Sequence, residues 1–216
     1  LAWAADGKTL FYVVEDDAKR PYRLYRHAVG TAGPDALVLE EKDERFTLAV
    51  SRSRDDRWIL VQASSHTQSE WSLLPAAEPG AALRVVAPRE KDHEYDVEPA
   101  GDLLYIRTND GCRDFRVVTA PAASPGKASW KELVPCRDGV MVSGLDAFRG
   151  HLVFLERQDA LARLSVRDLA TGETHRIEVP EPISSVSPEA NPEYDTRTFR
   201  FTFQSFTTAP MVFDYD

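Results

Sequence analysis

The hydrophobic positions of this chain fall into short dense runs separated by polar stretches, and the runs recur at a nearly fixed distance. Residues 9–14 (TLFYVV), 58–63 (WILVQA), 103–107 (LLYIR), 152–156 (LVFLE) and 199–203 (FRFTF) are rich in β-branched and aromatic side chains, and each has the length of a strand. Their starts lie 49, 45, 49 and 47 residues apart. Polar turns follow the first four of these runs (EDDAKRP, SSHTQSE, TNDGCRD and RQDALA). Second strand-like runs come next, at residues 22–27, 71–74, 115–119, 163–167 and 211–215. Third runs occur at 37–41, 83–87, 131–134 and 174–179, and short runs precede central ones at 1–4, 46–51 and 140–145. No segment longer than about ten residues shows the three-to-four spacing of an amphipathic helix.

Four antiparallel strands per 45 to 49 residues is the repeat of a β-propeller blade. The runs LFYVV, WILV and LVFL are apolar at successive positions, so both faces of each strand are expected to be covered. A propeller does this, because every blade has a neighbour on either side, whereas a sheet covered on one face would alternate. Turn formers agree, most clearly in DLATGETHRI, with SPGK, AEPG and Pro34 at the matching connection of other repeats. The expected fold class is all-β, with blades at about 1–44, 45–92, 93–138, 139–181 and an incomplete one at 182–216. Four full repeats and three strands of a fifth describe an arc of a larger ring.

Each period closes on a charged linker. REKDHEY at residues 89–95 has a counterpart in EEKDERF at 40–46, with Lys42 and Lys91 49 residues apart, and a weaker one in PCRDGVM at 135–141. Asp92, His93 and Glu94 are residue types that serve as acid, base or ligand. Yet EEKDERF keeps the lysine, the aspartate and the aromatic without the histidine. The linkers therefore read as reversals between blades, where polar side chains satisfy backbone groups. Phe46 and Tyr95 would then enter the inner strands as core aromatics, and Tyr22, Trp71 and Phe115 would be core between blades.

Composition changes the picture little: 43% hydrophobic and 28% charged residues describe an ordinary globular chain able to bury a core. A net charge of -9, with basic residues interleaved among acids, argues against a nucleic-acid partner and is compatible with a cationic substrate. The longest apolar runs fall far short of the roughly 20 residues that cross a bilayer, so no membrane partner is expected. No signal segment is legible, and Leu1 in place of an initiating methionine suggests a chain that starts inside a longer protein. Cys112 and Cys136 are too few for a disulfide framework or a structural zinc site and read as isolated thiols of a reducing, cytoplasmic compartment. Their loops would lie at the same end of a blade, which leaves a redox pair as the alternative.

A search for chemistry finds no Gly-x-Ser-x-Gly elbow, glycine-rich phosphate loop, His-Glu-x-x-His or Cys-x-x-Cys. The five histidines, His27, His66, His93, His151 and His175, fall at different phases of the repeat. No catalytic residue, metal ligand or cofactor is expected.

The segments LAWAADGKTLFYV, PYRLYRHAVGT, VLEEKDERF, REKDHEY, VRDLATGE and NPEYDTRTFRFTFQSFTTAPMVFDYD carry a resemblance that runs from Leu1 to Asp216. Together they resemble the propeller domain of the oligopeptidase B (protease II) branch of the prolyl oligopeptidase family of serine peptidases. The resemblance implies a seven-bladed propeller capping an α/β-hydrolase domain of the same parent chain, with short basic oligopeptides cleaved after Arg or Lys by a Ser-Asp-His triad. None of the triad, the oxyanion hole or the acidic pocket is present, so the chain is expected to be the non-catalytic, substrate-gating part. Lys42, Asp43, Glu44, Lys91, Asp92, His93 and Glu94 are then candidates for the domain interface or the vestibule. An exopeptidase relative that removes dipeptides would carry insertions lining the cavity, which these motifs do not favour. A stand-alone interaction scaffold is the alternative from another class; open end blades disfavour it and imply self-association of the isolated chain.

Overall fold

A computed structural model describes residues 1–216 as five antiparallel sheets that follow one another along the chain. Blade 1 comprises β1 (Ala2–Trp3), β2 (Thr9–Glu15), β3 (Pro21–Ala28) and β4 (Ala36–Glu40). Blade 2 comprises β5 (Thr47–Arg52), β6 (Trp58–Ser64), β7 (Ser69–Pro75) and β8 (Arg84–Val85). Blade 3 comprises β9 (Tyr95–Ala100), β10 (Leu103–Thr108), β11 (Arg116–Pro121) and β12 (Lys131–Val134), with one 3-10 turn at Lys127–Ser129. Blade 4 comprises β13 (Val140–Ala147), β14 (His151–Gln158), β15 (Leu161–Asp168) and β16 (Thr174–Arg176). Blade 5 has three strands, β17 (Ser184–Pro188), β18 (Phe199–Ser205) and β19 (Met211–Tyr215). All pairings join strands adjacent in sequence, which is the up-and-down order of a propeller blade.

The two-sided apolar runs do what their pattern requires. On β6, Trp58 and Leu60 pack toward blade 3 with Tyr95, Val97, Leu104 and Ile106, while Ile59, Val61 and Ala63 pack toward blade 1 with Phe11 and Leu24. A third cluster joins blades 3 and 4 through Tyr105, Val117, Val142, Leu152 and Phe154, and a fourth joins blades 4 and 5. Each cluster lies between consecutive blades, and blades 1 and 5 share none, so the arc is open. β18 shows the consequence: Phe199, Phe201 and Phe203 are buried against blade 4, whereas Arg200 and Gln204 alternate with them on the uncovered face.

Turn chemistry holds the hairpins. The Asp168 carboxylate accepts backbone N–H bonds from Ala170 (2.8 Å) and Thr171 (2.7 Å), and Gly172 takes a φ of 76° that other residues adopt only under strain.

Two expectations are corrected. Cys112, in the β10–β11 turn, and Cys136, after β12, form a disulfide with Cα atoms 5.7 Å apart. Their separation of 24 residues gives no hint of this by itself; blade topology folds the two loops onto one end, as the alternative of a paired state required. Tyr22 is not core: its ring lies between the guanidinium groups of Arg20 (5.3 Å) and Arg23 (4.7 Å).

Candidate functional site

Strand alternation sends every interblade linker and every middle hairpin turn to one end of the arc, called here the linker end. Both charged motifs lie there, and Arg89 ties them together. Its Nη2 donates to Glu41 Oε2 at 2.6 Å and Glu70 Oε1 at 3.3 Å, and its guanidinium sits 4.0 Å from the Phe46 ring centroid. Arg20 donates to the carbonyls of Glu41, Asp43 and Phe46, closing the first linker over blade 1. Arginines serve these reversals because one fork satisfies several acceptors at once.

The seven candidates divide by burial. Lys42, Glu44, Lys91 and Asp92 are exposed, and Asp43 and Glu94 are half-buried. Arg45 grips the Asp43 carboxylate from side chain and backbone, holding its pKa down at about 2. Asp92 sits in the left-handed region at φ 58°, and its carbonyl accepts from Asn109, which also pairs with the backbone of Glu94. His93 is a correction to the surface set, because its ring is only 4% exposed. Its Nε2 meets Thr108 Oγ1 at 2.9 Å and its ring stacks on Tyr95 at 5.1 Å. Burial pushes its pKa down, and Lys127 adds to the shift. The acid-base reading of REKDHEY thus gives way to a structural one, in which His93 and Tyr95 are core and the charged residues around them shape a turn.

The opposite end carries a cluster that the repeat pattern did not reveal. Arg54, in the β5–β6 turn of blade 2, pairs with Asp146 and donates to Ala147 O (3.0 Å), both on blade 4. Asp55 accepts from Gly101 N at 3.0 Å and Arg57 bonds Asp102, so blade 3 is tied in as well. A cavity of about 450 Å³ is lined by Arg52, Arg54, Trp71, Glu98 and Asn191 among others. The Glu98 carboxyl has its pKa pushed up to about 8 by desolvation, against the pull of Arg54 and with a push from Asp146. The one legible sign was a glutamate inside the inner strand YDVEPA. This cluster can hold a polar or cationic group; in it Ser53 Oγ donates to Asp55 Oδ1 and accepts from Trp58 N at 3.0 Å.

Five up-and-down antiparallel blades in an open arc define part of a β-propeller. Residues 1–216 match the family described as "Prolyl oligopeptidase, N-terminal beta-propeller domain", and the chain belongs to that family. It is 41% identical to dipeptidyl aminopeptidase BI of Pseudoxanthomonas mexicana over 99% of this chain and 30% of that protein. It is 30% identical to protease 2 of Moraxella lacunata, again over 99% of this chain and 30% of the relative. Among solved structures, oligopeptidase B from Trypanosoma brucei, in a closed form with covalently bound antipain, superposes with a TM-score of 0.91 at 27% identity. That match covers 100% of this chain and 32% of the other. The chain therefore spans about 30% of the length of the curated relatives it matches.

Proposed function

We propose that this chain is the non-catalytic, substrate-gating propeller of a serine oligopeptidase that resembles oligopeptidase B and cleaves short peptides after Arg or Lys. The observation that carries the reading is the match of all 216 residues to a family described as an N-terminal propeller domain, over a segment that is under a third of its relatives' length. Chemistry then belongs to an α/β-hydrolase domain of the same parent chain, and the propeller admits peptides by size and completes the site by closing against it. The closed, antipain-bound form of the Trypanosoma brucei relative supports closure as the working motion. Lys42, Asp43, Glu44, Lys91, Asp92 and Glu94 lie at the linker end and are proposed to face the vestibule or the hydrolase domain. The expectation of a cytoplasmic protein rested on two reduced thiols, and the Cys112–Cys136 bridge removes that support.

A second reading is favoured by one observation: the 41% relative is named a dipeptidyl aminopeptidase, so the parent would release dipeptides from a free N-terminus. A stand-alone scaffold is disfavoured by the unpartnered apolar face of blade 1. The deciding experiment is hydrolysis by the full-length protein of paired fluorogenic peptides ending in Arg or Lys, with free and with blocked N-termini. Cleavage of blocked peptides supports the endopeptidase; cleavage of free dipeptides alone supports the second reading. Full-length protein without hydrolysis of either, or a gene without a hydrolase domain, overturns both.

A further inference from the structure

Phe206 is 98% exposed, the most exposed large apolar side chain in the chain, and it lies in the β18–β19 turn at the linker end. Burying a phenylalanine is worth roughly 1.5–3 kcal/mol. Folding of this chain gains none of that here, so the exposure needs another cause. The loop that presents Phe206 is held firmly. Thr207 Oγ1 and Thr208 Oγ1 donate to the Glu181 carboxylate at 2.7 and 2.5 Å, and Ser205 Oγ accepts from the backbone N–H groups of Thr207 (3.1 Å) and Thr208 (2.9 Å). Ile183, 62% exposed, stands beside it, and with Leu161 of blade 4 the two line a hollow of about 410 Å³.

We propose that Phe206 and Ile183 form a preorganised apolar foothold for the hydrolase domain, a proposal that rests on the function given above. Three observations select this occupant. The site lies beyond the strand ends in a turn, whereas a further blade would cover a sheet face. It shares the linker end with the charged loops around Asp43 and Asp92. The relatives are more than three times as long as this chain, so the family's remaining domain is large enough to cover that end. A fixed loop carrying an aromatic anchor binds without a further ordering cost, which suits a surface that docks and releases as a gate works.

The test uses the full-length protein. In a Phe206→Cys variant under non-reducing conditions Cys112 and Cys136 are bridged, and parallel maleimide labelling of the unsubstituted protein subtracts any thiol outside these 216 residues, so the difference reports the new position. Labelling slowed about tenfold or more relative to a free thiol, and slowed further by a covalent active-site inhibitor, is expected, since burial of a docked aromatic is worth more than about 1 kcal/mol. Phe206→Asp is expected to lower kcat/KM for a peptide about tenfold, with Phe206→Leu retaining most activity and all variants keeping the wild-type circular dichroism. An enzyme that hydrolyses peptides normally with Phe206→Asp, and whose thiol at this position labels as fast as free cysteine, overturns the foothold and leaves the proposed function standing. Absence of any peptidase activity in the wild type overturns the proposed function itself, and the foothold with it.

Discussion

Removing the single hydroxyl of Tyr95 is expected to cost more than most core truncations of equal size. The ring is 1% exposed, and its hydroxyl donates to Ala87 O at 2.5 Å while accepting from Ala87 N (3.1 Å) and Trp71 N (2.8 Å). The Tyr95 carbonyl in turn accepts from Ser69 Oγ and Trp71 Nε1, so one residue at the start of β9 fastens the outer strands of blade 2 to blade 3. Tyr95→Phe keeps the ring and its packing but leaves both polar groups of fully buried Ala87 unpaired. Each such group costs about 1–3 kcal/mol, so the two together are expected to cost at least about 2 kcal/mol. For a domain of this size that lowers Tm by at least roughly 4 °C. Urea titration at low micromolar concentration, followed by tryptophan fluorescence, measures it as a shift in midpoint at constant slope. Burial raises the Tyr95 pKa to about 12 from its ordinary 10.0, so the hydroxyl is protonated in the folded state throughout the neutral range. The difference between wild type and variant is then constant below pH 10, and it shrinks only as pH rises through about 12. A loss below about 0.5 kcal/mol at pH 7 would refute the accounting of unpaired groups.

Three further outcomes are expected. Replacing Cys112 and Cys136 by serine, or reducing the bridge with a dithiol, opens a loop of 24 residues and lowers stability by about 3 kcal/mol; an unchanged urea midpoint would count against the bridge. Glu98 is protonated more readily in the folded chain than in the unfolded one, so its contribution is full below pH 4.5 and is lost as pH rises through about 8. Glu98→Gln is expected to flatten the stability profile across that window, and parallel profiles for the two proteins would contradict the assignment. The isolated chain is expected to self-associate through blade 1, whose open face carries Trp3 at 43% and Leu37 at 50% exposure beside the stacked Tyr12 and Tyr25. Light scattering at tens of micromolar that finds a monodisperse monomer, or aggregation undiminished by Trp3→Glu with Leu37→Glu, would reject this.

Blade 1 and blade 5 show how far the chain's pattern reaches. A central strand with neighbours on both faces must be apolar at successive positions, so TLFYVV, WILVQA and LVFLE announce both the strand and its two partners. FRFTFQ alternates instead, and the structure puts Arg200 and Gln204 on the face that has no blade against it. That face is mostly polar, held by the Arg200–Asp214 pair at 2.7 Å with Val212 exposed beside it, while the open face of blade 1 is aromatic. The two ends of the arc therefore make unequal demands on whatever covers them, a difference already present in the hydrophobic pattern. What the pattern could not convey depends on which loops converge in space. Arg54 reaches Asp146 across 92 residues, about two repeats, so the contact skips from blade 2 to blade 4, which the pattern of each period alone does not show. Cys112 meets Cys136 because strand alternation returns both loops to one end, and the same geometry gathers the Asp43 and Asp92 turns with Phe206. His93 shows the converse: a histidine among charges in sequence lies under them in the fold, since the strand that follows begins inside the core. Periodic positions report which faces are covered, whereas the contacts proposed for this arc lie at strand ends, where periodicity stops. The candidates for docking and gating therefore had to come from the geometry of the turns.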